Sequence, residues 1–401
     1  MPAGLAAARQ DLRLFLIAGE HSGDALGGRL MAALNERCKG RVHYLGVGGE
    51  DMEHQGLASQ FPLSDVAVMG PLSILPRLPR IISRVRQTAA AAVAAEPDAV
   101  VIIDAPEFTH PIAKRIRKRA PNIPIIDYVS PSVWAWRPGR ARKMRRYVDH
   151  VLALLPFEPE AQRRLGGPPC TYVGHPLIER LGWLRELDPW PLAERLQLDP
   201  QRLVLVVLPG SRTSEVGRLM SPFGEAVELL RQRGIAPHVI IPVVPQVRAL
   251  VEQGLRAWTT KAHLVEGEAD KFSAFKLAHA ALAASGTVTL ELALAATPMV
   301  VAYRVDAIGA RLRFLLKVPS VVLANLVLGE NAFPEFLQED CTPEKLAEAL
   351  ALLLSDTPAR NAQTAALTLI PERLAIEAGT PSEAAADVVL QYAEHGRRPP
   401  K

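Results

Sequence analysis

The sequence predicts an α/β chain with two parallel-sheet domains, and three observations carry that prediction. Short, continuously apolar, β-branched runs alternate with amphipathic helical patterns, the rhythm of βα units whose strands are buried on both faces. The runs end in turns rich in Gly, Ser or Pro, so the chemistry-bearing residues gather at strand carboxyl ends, where open α/β sheets hold ligands. At 401 residues the chain exceeds what one hydrophobic core serves, so two cores are expected. The expected division is 1–180, a bridging segment 181–200 that includes the proline-containing Trp183–Pro200, a second domain 201–375, and a C-terminal helix and tail 376–401.

A hydrophobic content of 49% against 22% charge is that of a globular protein with an ample core. Cys38, Cys170 and Cys341 are odd in number and far apart, which fits neither a disulfide framework nor a metal cluster and points to a reducing compartment. The opening Met1–Arg9 holds too short an apolar stretch for a signal peptide. The longest apolar region, Ala278–Tyr303, is interrupted by Ser285, Gly286, Thr287, Glu291 and Pro298, a set that a membrane span rarely tolerates. A soluble or peripheral protein is therefore expected. Lys and Arg outnumber Asp and Glu by 46 to 42, with the surplus in the N-terminal half, in Lys114–Arg119 and Arg137–Arg146. No nucleic-acid motif accompanies these clusters. They fit a solvated helix face, an anionic lipid surface or a phosphorylated substrate.

The first strand, Leu12–Ile17, ends in Ala18-Gly19-Glu20-His21-Ser22-Gly23-Asp24 and a helical pattern follows (Leu26, Leu30, Leu34). Gly19 and Gly23 permit close backbone approach to a ligand, while Ser22 and Asp24 serve a ligand or cap the helix. His21 is either a loop residue or an acid/base group. No Gly-x-Gly-x-x-Gly fingerprint is present, because the glycines of Gly46-Val47-Gly48-Gly49 have the wrong spacing; this disfavours a nicotinamide dehydrogenase. Val66–Ile82 interleaves apolar residues with Pro71, Pro76 and Pro79 and leads into Arg77, Arg80, Arg84 and Arg86. It reads as an irregular apolar loop at an interface or a greasy ligand. Ala99–Ile103 is a buried strand whose carboxyl end carries Asp104 and Glu107, either a general base or a brace of the turn. Ile125–Val129 is the next strand, followed by Ser130–Arg140 with Trp134 and Trp136 two residues apart, which alternation would place on one face of an extended segment. Val151–Leu155 and Tyr172-Val173 complete the first set, with His175-Pro176 as its exit.

The second set opens on Leu203–Leu208, then Pro209-Gly210-Ser211-Arg212-Thr213-Ser214-Glu215 and a helical pattern (Val216, Leu219, Phe223). A glycine turn between a strand and a helix N-terminus favours an anion, and Arg212 adds a fixed cation; Ser211 or Thr213 as a plain N-cap is the competing reading. Val239–Pro242, His263–Val265, Ala280–Ala283 and Val300–Tyr303 are further strands. Ser285, Gly286 and Thr287 form a second turn of the same kind, and Glu291, one helical turn beyond Thr287, is placed to accept from both hydroxyls of a ribose. Helices from Thr342 onward close the chain.

The motifs Ala-Gly-Glu-His-Ser-Gly-Asp (18–24), Ile-Asp-Ala-Pro-Glu-Phe (103–108), Tyr-Val-Ser-Pro-Ser-Val-Trp-Ala-Trp-Arg (128–137), Leu-Pro-Phe-Glu (155–158), Val-Gly-His-Pro (173–176), Leu-Pro-Gly-Ser-Arg (208–212) and Ser-Gly-Thr-Val-Thr-Leu-Glu (285–291) occur in that order. Together they make the chain resemble the lipid-A-disaccharide synthase family. The resemblance implies a GT-B type fold, with two Rossmann-like parallel-sheet domains facing a central cleft. It implies an inverting hexosyltransferase that joins UDP-2,3-diacylglucosamine to 2,3-diacylglucosamine 1-phosphate through a β-1,6 bond, without a metal or other cofactor. On that reading Asp104 is the candidate base for the acceptor's 6-hydroxyl, with Glu107 and His21 as alternatives, and Arg212 is the catalytic cation at the leaving diphosphate. Gly210, Ser211, Ser285, Gly286, Thr287, Glu291 and Asn325 fall to the UDP-sugar donor, and Gly19, Ser22, Gly23, Asp24, Trp134 and Trp136 to the acceptor side. Four acyl chains imply an apolar home at Leu72–Ile82 and a peripheral place on the cytoplasmic face of the inner membrane. The rival readings are a UDP-N-acetylglucosamine 2-epimerase or another UDP-sugar enzyme of the same architecture, and a non-enzymatic peripheral membrane protein.

Overall fold

The structure, a computed structural model, describes residues 11–67, 77–305 and 318–397. The chain divides into two compact units, residues 1–176 with 376–401, and residues 177–375. Each is built on one parallel sheet, which bears out the expected fold class.

The first sheet comprises β1 (Leu12–Ala18), β2 (Val42–Val47), β3 (Ala58–Ser59), β4 (Ala99–Ile103), β5 (Ile125–Tyr128), β6 (His150–Ala153) and β7 (Cys170–Tyr172), in the order β3-β2-β1-β4-β5-β6-β7. The second comprises β8 (Val204–Leu208), β9 (His238–Pro242), β10 (Ala262–Val265), β11 (Ala280–Ala284), β12 (Met299–Tyr303) and β13 (Glu335–Leu337), in the order β10-β9-β8-β11-β12-β13. β4, β8 and β11 are buried along their whole length. Such strands lose water on both faces, which is why they read as unbroken apolar runs rather than as alternation. The sheets run outward in opposite directions from the pairs β1/β4 and β8/β11, so each unit has one topological switch point, the usual site of a ligand crevice. Register sets the turns level there: Ala18 lies opposite Ile103, and Leu208 opposite Ala283.

β2 and β3 escape a sequence reading because β2 is half exposed and carries His43 and Gly46. The segment 181–200, expected as a bridge, forms the short helices Leu181–Glu186 and Trp190–Arg195. Lys276 Nζ donates to the carbonyls of Leu184 (3.0 Å) and Leu187 (2.6 Å), and Trp183 packs edge-on against Phe272. The C-terminal helix Pro381–His395 returns to the first unit. It starts at a capping box in which Thr380 and Glu383 satisfy each other's backbone N–H. Ala385, Ala386, Val389 and Tyr392 lie in one core with Leu14, Leu16, Leu30 and Leu34.

The irregular loop expected through Ile82 ends earlier. Met1–Arg9 and Leu72–Pro76 lie outside the described residues, but Leu78–Ala95 is a helix. Pro79 falls in its first turn, where a proline sacrifices no hydrogen bond. Arg80 and Arg84 both pair with the buried Asp65 at 2.6 Å, and Arg84 stacks on Phe61. Those two arginines brace the unit's interior, while Leu78 and Ile82 stay exposed. In the basic stretch 114–119, Arg117 is likewise internal, paired with Asp149 and donating to the Ile123 carbonyl at 2.9 Å.

Candidate functional site

In the second unit the crevice between β8 and β11 opens into a cavity of about 550 Å³. Gly210, Ser211, Arg212, Ser285, Gly286, Thr287 and Glu291 all lie on its wall. Two turns separated by some 70 residues of sequence are thus brought to one edge by the parallel pairing of β8 with β11.

The first turn differs in detail from its expected form. The helix Thr213–Gln232 begins with Arg212 in the N-cap position, and neither Ser211 nor Thr213 caps it. The cap is Glu215, almost fully buried, whose carboxylate accepts from the Ser211 N–H (3.2 Å), the Arg212 N–H (3.3 Å) and Arg212 Nη1 (2.9 Å). A carboxylate three residues into a helix reaches back to the same N–H groups that would otherwise hold a phosphate. The anion at this helix N-terminus is therefore the protein's own, and those two amides are already taken. Gly210 (φ +117°) is demanded by the same arrangement, since a Cβ there would lie 2.5 Å from Glu215 Cβ. Tyr303 donates its hydroxyl to Glu215 at 3.3 Å.

The second turn is open. A Cβ on Gly286 would meet nothing within 4 Å, and Thr287 is exposed at the start of helix Val288–Leu294 without capping it. Ser285 Oγ donates to the Val321 carbonyl at 2.7 Å, which holds the turn. Glu291 is gripped by Lys271, whose Nζ lies 2.9 and 3.0 Å from its two carboxylate oxygens. Lys271 was missed in the sequence; its signal was a lysine one turn into a helix that follows the glycine after β10. Asn325 is not on the cavity wall. It is 1% exposed, its amide donates to Ser320 Oγ and the Phe333 carbonyl, and its oxygen accepts from the Phe333 N–H. It braces the loop that supplies Val321, and so stands behind Ser285.

In the first unit the β1/β4 crevice brings Asp104 to Ser22, whose Oγ donates to Asp104 Oδ2 at 2.9 Å. Asp104 and Ala105 hold φ of +51° and +42°, two successive left-handed residues at the strand end, a strained turn of the kind found at functional sites. The glycines make room for it: a Cβ on Gly19 would lie 2.5 Å from Ala105 Cβ, and one on Gly23 would lie 3.1 Å from the Ile103 carbonyl oxygen. Asp104 does not cap the following helix Pro106–Arg119, which has no side-chain cap. His21 is exposed at the start of its helix, and Glu107 is exposed and pairs with Arg140 at 3.2 Å.

Asp24 turns away from this crevice. It is 3% exposed and accepts from the N–H groups of Gly49 (2.7 Å), Asp51 (3.1 Å) and Met52 (3.2 Å). It therefore caps a different helix, Glu50–His54, rather than its own or a ligand. The two tryptophans do not share a face, because Ala135 and Trp136 donate back to the Ser132 carbonyl in a turn. Trp134 donates to Glu158 at 3.0 Å and packs edge-on to Phe157, whereas Trp136 is 40% exposed beneath the Arg137 guanidinium. Glu158 also accepts from the Leu154 and Leu155 N–H groups, and burial pushes its carboxyl up to about 7. A buried His110, 3.2 Å from Asp127 and 3.0 Å from the Tyr147 hydroxyl, lies in the same unit. Its sequence signal was the lone charge inside the apolar strand β5.

Asp104, Glu107, Ser130, Ser132, Trp136, Arg137 and Arg140 line a cavity of about 340 Å³. A larger cavity of about 680 Å³, around Gly224 and Trp258, lies on the helix Thr213–Gln232 away from both strand edges. Its volume does not make it a site, because it lacks the convergent turns that a switch point supplies. Among the described residues no helix is long and apolar enough to cross a membrane, and no three His, Cys, Asp or Glu side chains gather as metal ligands.

Residues 14–388 match the family model described as Lipid-A-disaccharide synthetase. The chain is 52% identical to the lipid-A-disaccharide synthase of Bradyrhizobium diazoefficiens over 388 residues, covering 96% of this chain and 98% of that one. It is 51% identical to that of Nitrobacter hamburgensis over 394 residues, 98% of each chain. Among solved structures it is similar to UDP-GlcNAc 2-epimerase from Neisseria meningitidis bound to UDP-GlcNAc (TM-score 0.61, 12% identity, 94% and 98% of the two chains). It is also similar to MurG of Acinetobacter baumannii (TM-score 0.56, 13% identity, 94% and 99%). At such identities the likeness concerns the fold alone, which is of the GT-B class.

Proposed function

The chain belongs to the lipid-A-disaccharide synthetase family, and on that premise we propose that it is an inverting glycosyltransferase. It condenses UDP-2,3-diacylglucosamine with 2,3-diacylglucosamine 1-phosphate to give the β-1,6-linked tetraacyldisaccharide 1-phosphate and UDP. The observation that carries this reading is the family match across residues 14–388. It takes in both switch-point crevices and the carboxylate at the first.

The acceptor's 6-hydroxyl attacks the donor's anomeric carbon from the face opposite UDP. The bond from that carbon to the diphosphate oxygen breaks, and its electron pair leaves on UDP. The hydroxyl proton passes to Asp104, whose Oδ2 is oriented by Ser22 and whose other oxygen serves as base. In the second unit, Glu291 accepts from the ribose hydroxyls after exchanging its hold on Lys271 for them, and Lys271 is then released toward the diphosphate. Arg212 and the open turn Ser285–Thr287 stabilise the charge that develops on the leaving group. Asn325 acts through the Val321 loop rather than by touching the donor. Trp134 belongs to the wall behind the acceptor, and Trp136 to its mouth. The acyl chains and the basic N-terminal half hold the protein to the anionic cytoplasmic face of the inner membrane as a peripheral protein.

The test is release of UDP from UDP-2,3-diacylglucosamine by the purified chain, in detergent with EDTA, with and without the 1-phosphate acceptor. Release that requires the acceptor is the expected result. Release or epimerisation of the sugar nucleotide without any acceptor would overturn the reading in favour of an epimerase-type enzyme, and failure to bind UDP would overturn it altogether.

A further inference from the structure

The acceptor in the proposed reaction is an anion, and the cavity that holds Asp104 is built for one. It has a volume of about 340 Å³, at the small end of the roughly 300–1,000 Å³ range of ligand pockets. That is a size for a single sugar ring with its phosphate, not for acyl chains. Asp104 stands on one wall, and Arg137 and Arg140 stand on the segment that follows β5.

Three features suit these two arginines, Arg137 exposed and Arg140 half-buried, to holding a phosphate. The Arg137 guanidinium carbon lies over the Trp136 ring, 4.1 Å from its centroid, and among the described residues no ion pair joins Arg137 to a carboxylate. Stacking pre-organises a guanidinium while leaving its in-plane N–H donors available to oxyanions. Arg140 is only 20% exposed in its side chain and is tethered by the Pro106 carbonyl at 3.3 Å and by the exposed Glu107 at 3.2 Å. Its carboxylate partner among the described residues is thus a weak surface pair that an anionic ligand displaces at little cost. Third, the backbone of this cavity is strained: Asp104, Val129 and Arg137 hold φ of +51°, +85° and +52°. For a β-branched valine that conformation is a genuine outlier, and such strain collects where a fold aims side chains at a ligand.

We propose that Arg137 and Arg140 bind the anomeric phosphate of the acceptor inside the Asp104 cavity, so that the far end of the same sugar presents its hydroxyl to Asp104. This rests on the transferase reading above and adds how the enzyme tells a phosphorylated acceptor from a neutral one. An acceptor without phosphate forgoes the charge-assisted hydrogen bonds that the two guanidinium groups offer an oxyanion, which is how the pair discriminates.

The experiment compares kcat/KM for 2,3-diacylglucosamine 1-phosphate with that for 2,3-diacylglucosamine, in the wild type and in Arg137→Ala, Arg140→Ala and Arg137→Lys. The wild type is expected to favour the phosphorylated acceptor by at least tenfold. The alanine variants should lose most of that preference through KM for the acceptor, with UDP affinity unchanged. The lysine variant, which keeps the charge but loses the fork, should be intermediate. An unaltered preference in all three soluble, UDP-binding variants would overturn the proposal. So would loss of activity on both acceptors by one common factor. A wild type that releases no UDP with either acceptor would instead overturn the transferase reading itself. If Arg140→Ala fails to fold, Arg137→Ala and Arg137→Lys decide the matter, since among the described residues the Arg137 guanidinium is held by the Trp136 ring alone.

Discussion

Ser22 and Asp104 are 82 residues apart in the chain and 2.9 Å apart in the fold, and that hydrogen bond orients the carboxylate that the proposed mechanism uses as its base. Asp104→Asn keeps the shape and the Ser22 contact but cannot take a proton. Its kcat should fall by roughly 10²–10⁴, the span of general-base catalysis, with the Kd for UDP unchanged; a variant with most of its activity would remove Asp104 from the mechanism. Arg212 lends itself to a graded expectation. A charge-assisted hydrogen bond contributes about 1.5–3 kcal/mol, and the 61% exposure of this side chain moves the effect to the low end through solvent screening. Arg212→Ala should raise the Kd for UDP by roughly tenfold in calorimetry, and an unaltered Kd would refute its place at the diphosphate. At this turn the sequence shows which residues are neighbours but not how they divide the hydrogen bonds. Gly210 and Ser211 read as a phosphate cradle, but Glu215, four residues after Ser211, takes the Ser211 and Arg212 N–H groups first. Asp24 went the same way: a buried carboxylate satisfies the nearest unpaired backbone donors, and those belonged to a helix whose existence the sequence did not announce.

At the scale of the element, the two switch points rest on glycines placed where backbone meets backbone. Gly19 faces Ala105 so closely that a methyl group would fall 2.5 Å from Ala105 Cβ. Gly19→Ala should therefore push the β1 and β4 turns apart. A cost of about 1–3 kcal/mol is expected from overpacking, seen as a lower Tm, together with a fall in kcat as Asp104 leaves Ser22. Gly182→Ala is the control, since a Cβ there meets nothing within 4 Å. Equal melting of the two variants would sink the argument. The strands buried on both faces, β4, β8 and β11, were legible as apolar runs because that burial demands them, whereas the more exposed β2, β3 and β13 were not. The Trp-Ala-Trp segment was not, because alternation holds only for extended backbone, and the bonds back to Ser132 coil it into a turn. Pro79 misled in the same manner: a proline breaks a helix interior but opens a helix at its first turn, and only the location of that turn distinguishes the two.

At the scale of the whole molecule, the chain completes its first unit with its last helix, and a half-buried histidine at that junction is expected to make the unit's stability depend on pH. His150, bonded to the Tyr392 hydroxyl at 3.0 Å and to Thr171 Oγ1 at 2.9 Å, is pushed down to about 4 by burial, as is His175. Both are neutral in the fold, whereas in the unfolded chain they titrate near 6.5. Their contribution to stability is therefore fully present above about pH 6.5 and is lost as the pH falls toward 4, because the unfolded state takes up protons that the fold refuses. Glu158 runs the other way. Raised to about 7, it favours the fold at low pH and weakens it as the pH rises through 7. Urea unfolding at pH 7.5 and 5 should show the wild type losing more stability on acidification than His150→Asn/His175→Asn. Identical losses would exclude these histidines as the cause.

Much was settled by local sequence: two sets of βα units, their strands, and the turns that carry Asp104, Arg212, Ser285 and Glu291. Strand burial, turn chemistry and helix periodicity are local properties, so a run of a few residues is enough to show them. Tertiary structure alone decided which polar groups are already spoken for. Lys271 on Glu291, Glu215 on the Ser211 amide, Asp24 on Gly49 and Asn325 on Phe333 are pairings between a side chain and whatever donor or acceptor the fold carries to it. It alone likewise set Arg137 and Arg140 beside Asp104 in one cavity, because the parallel pairing of β4 with β5 brings their carboxyl ends level. Spacing along the chain does not encode that proximity; the sheet does.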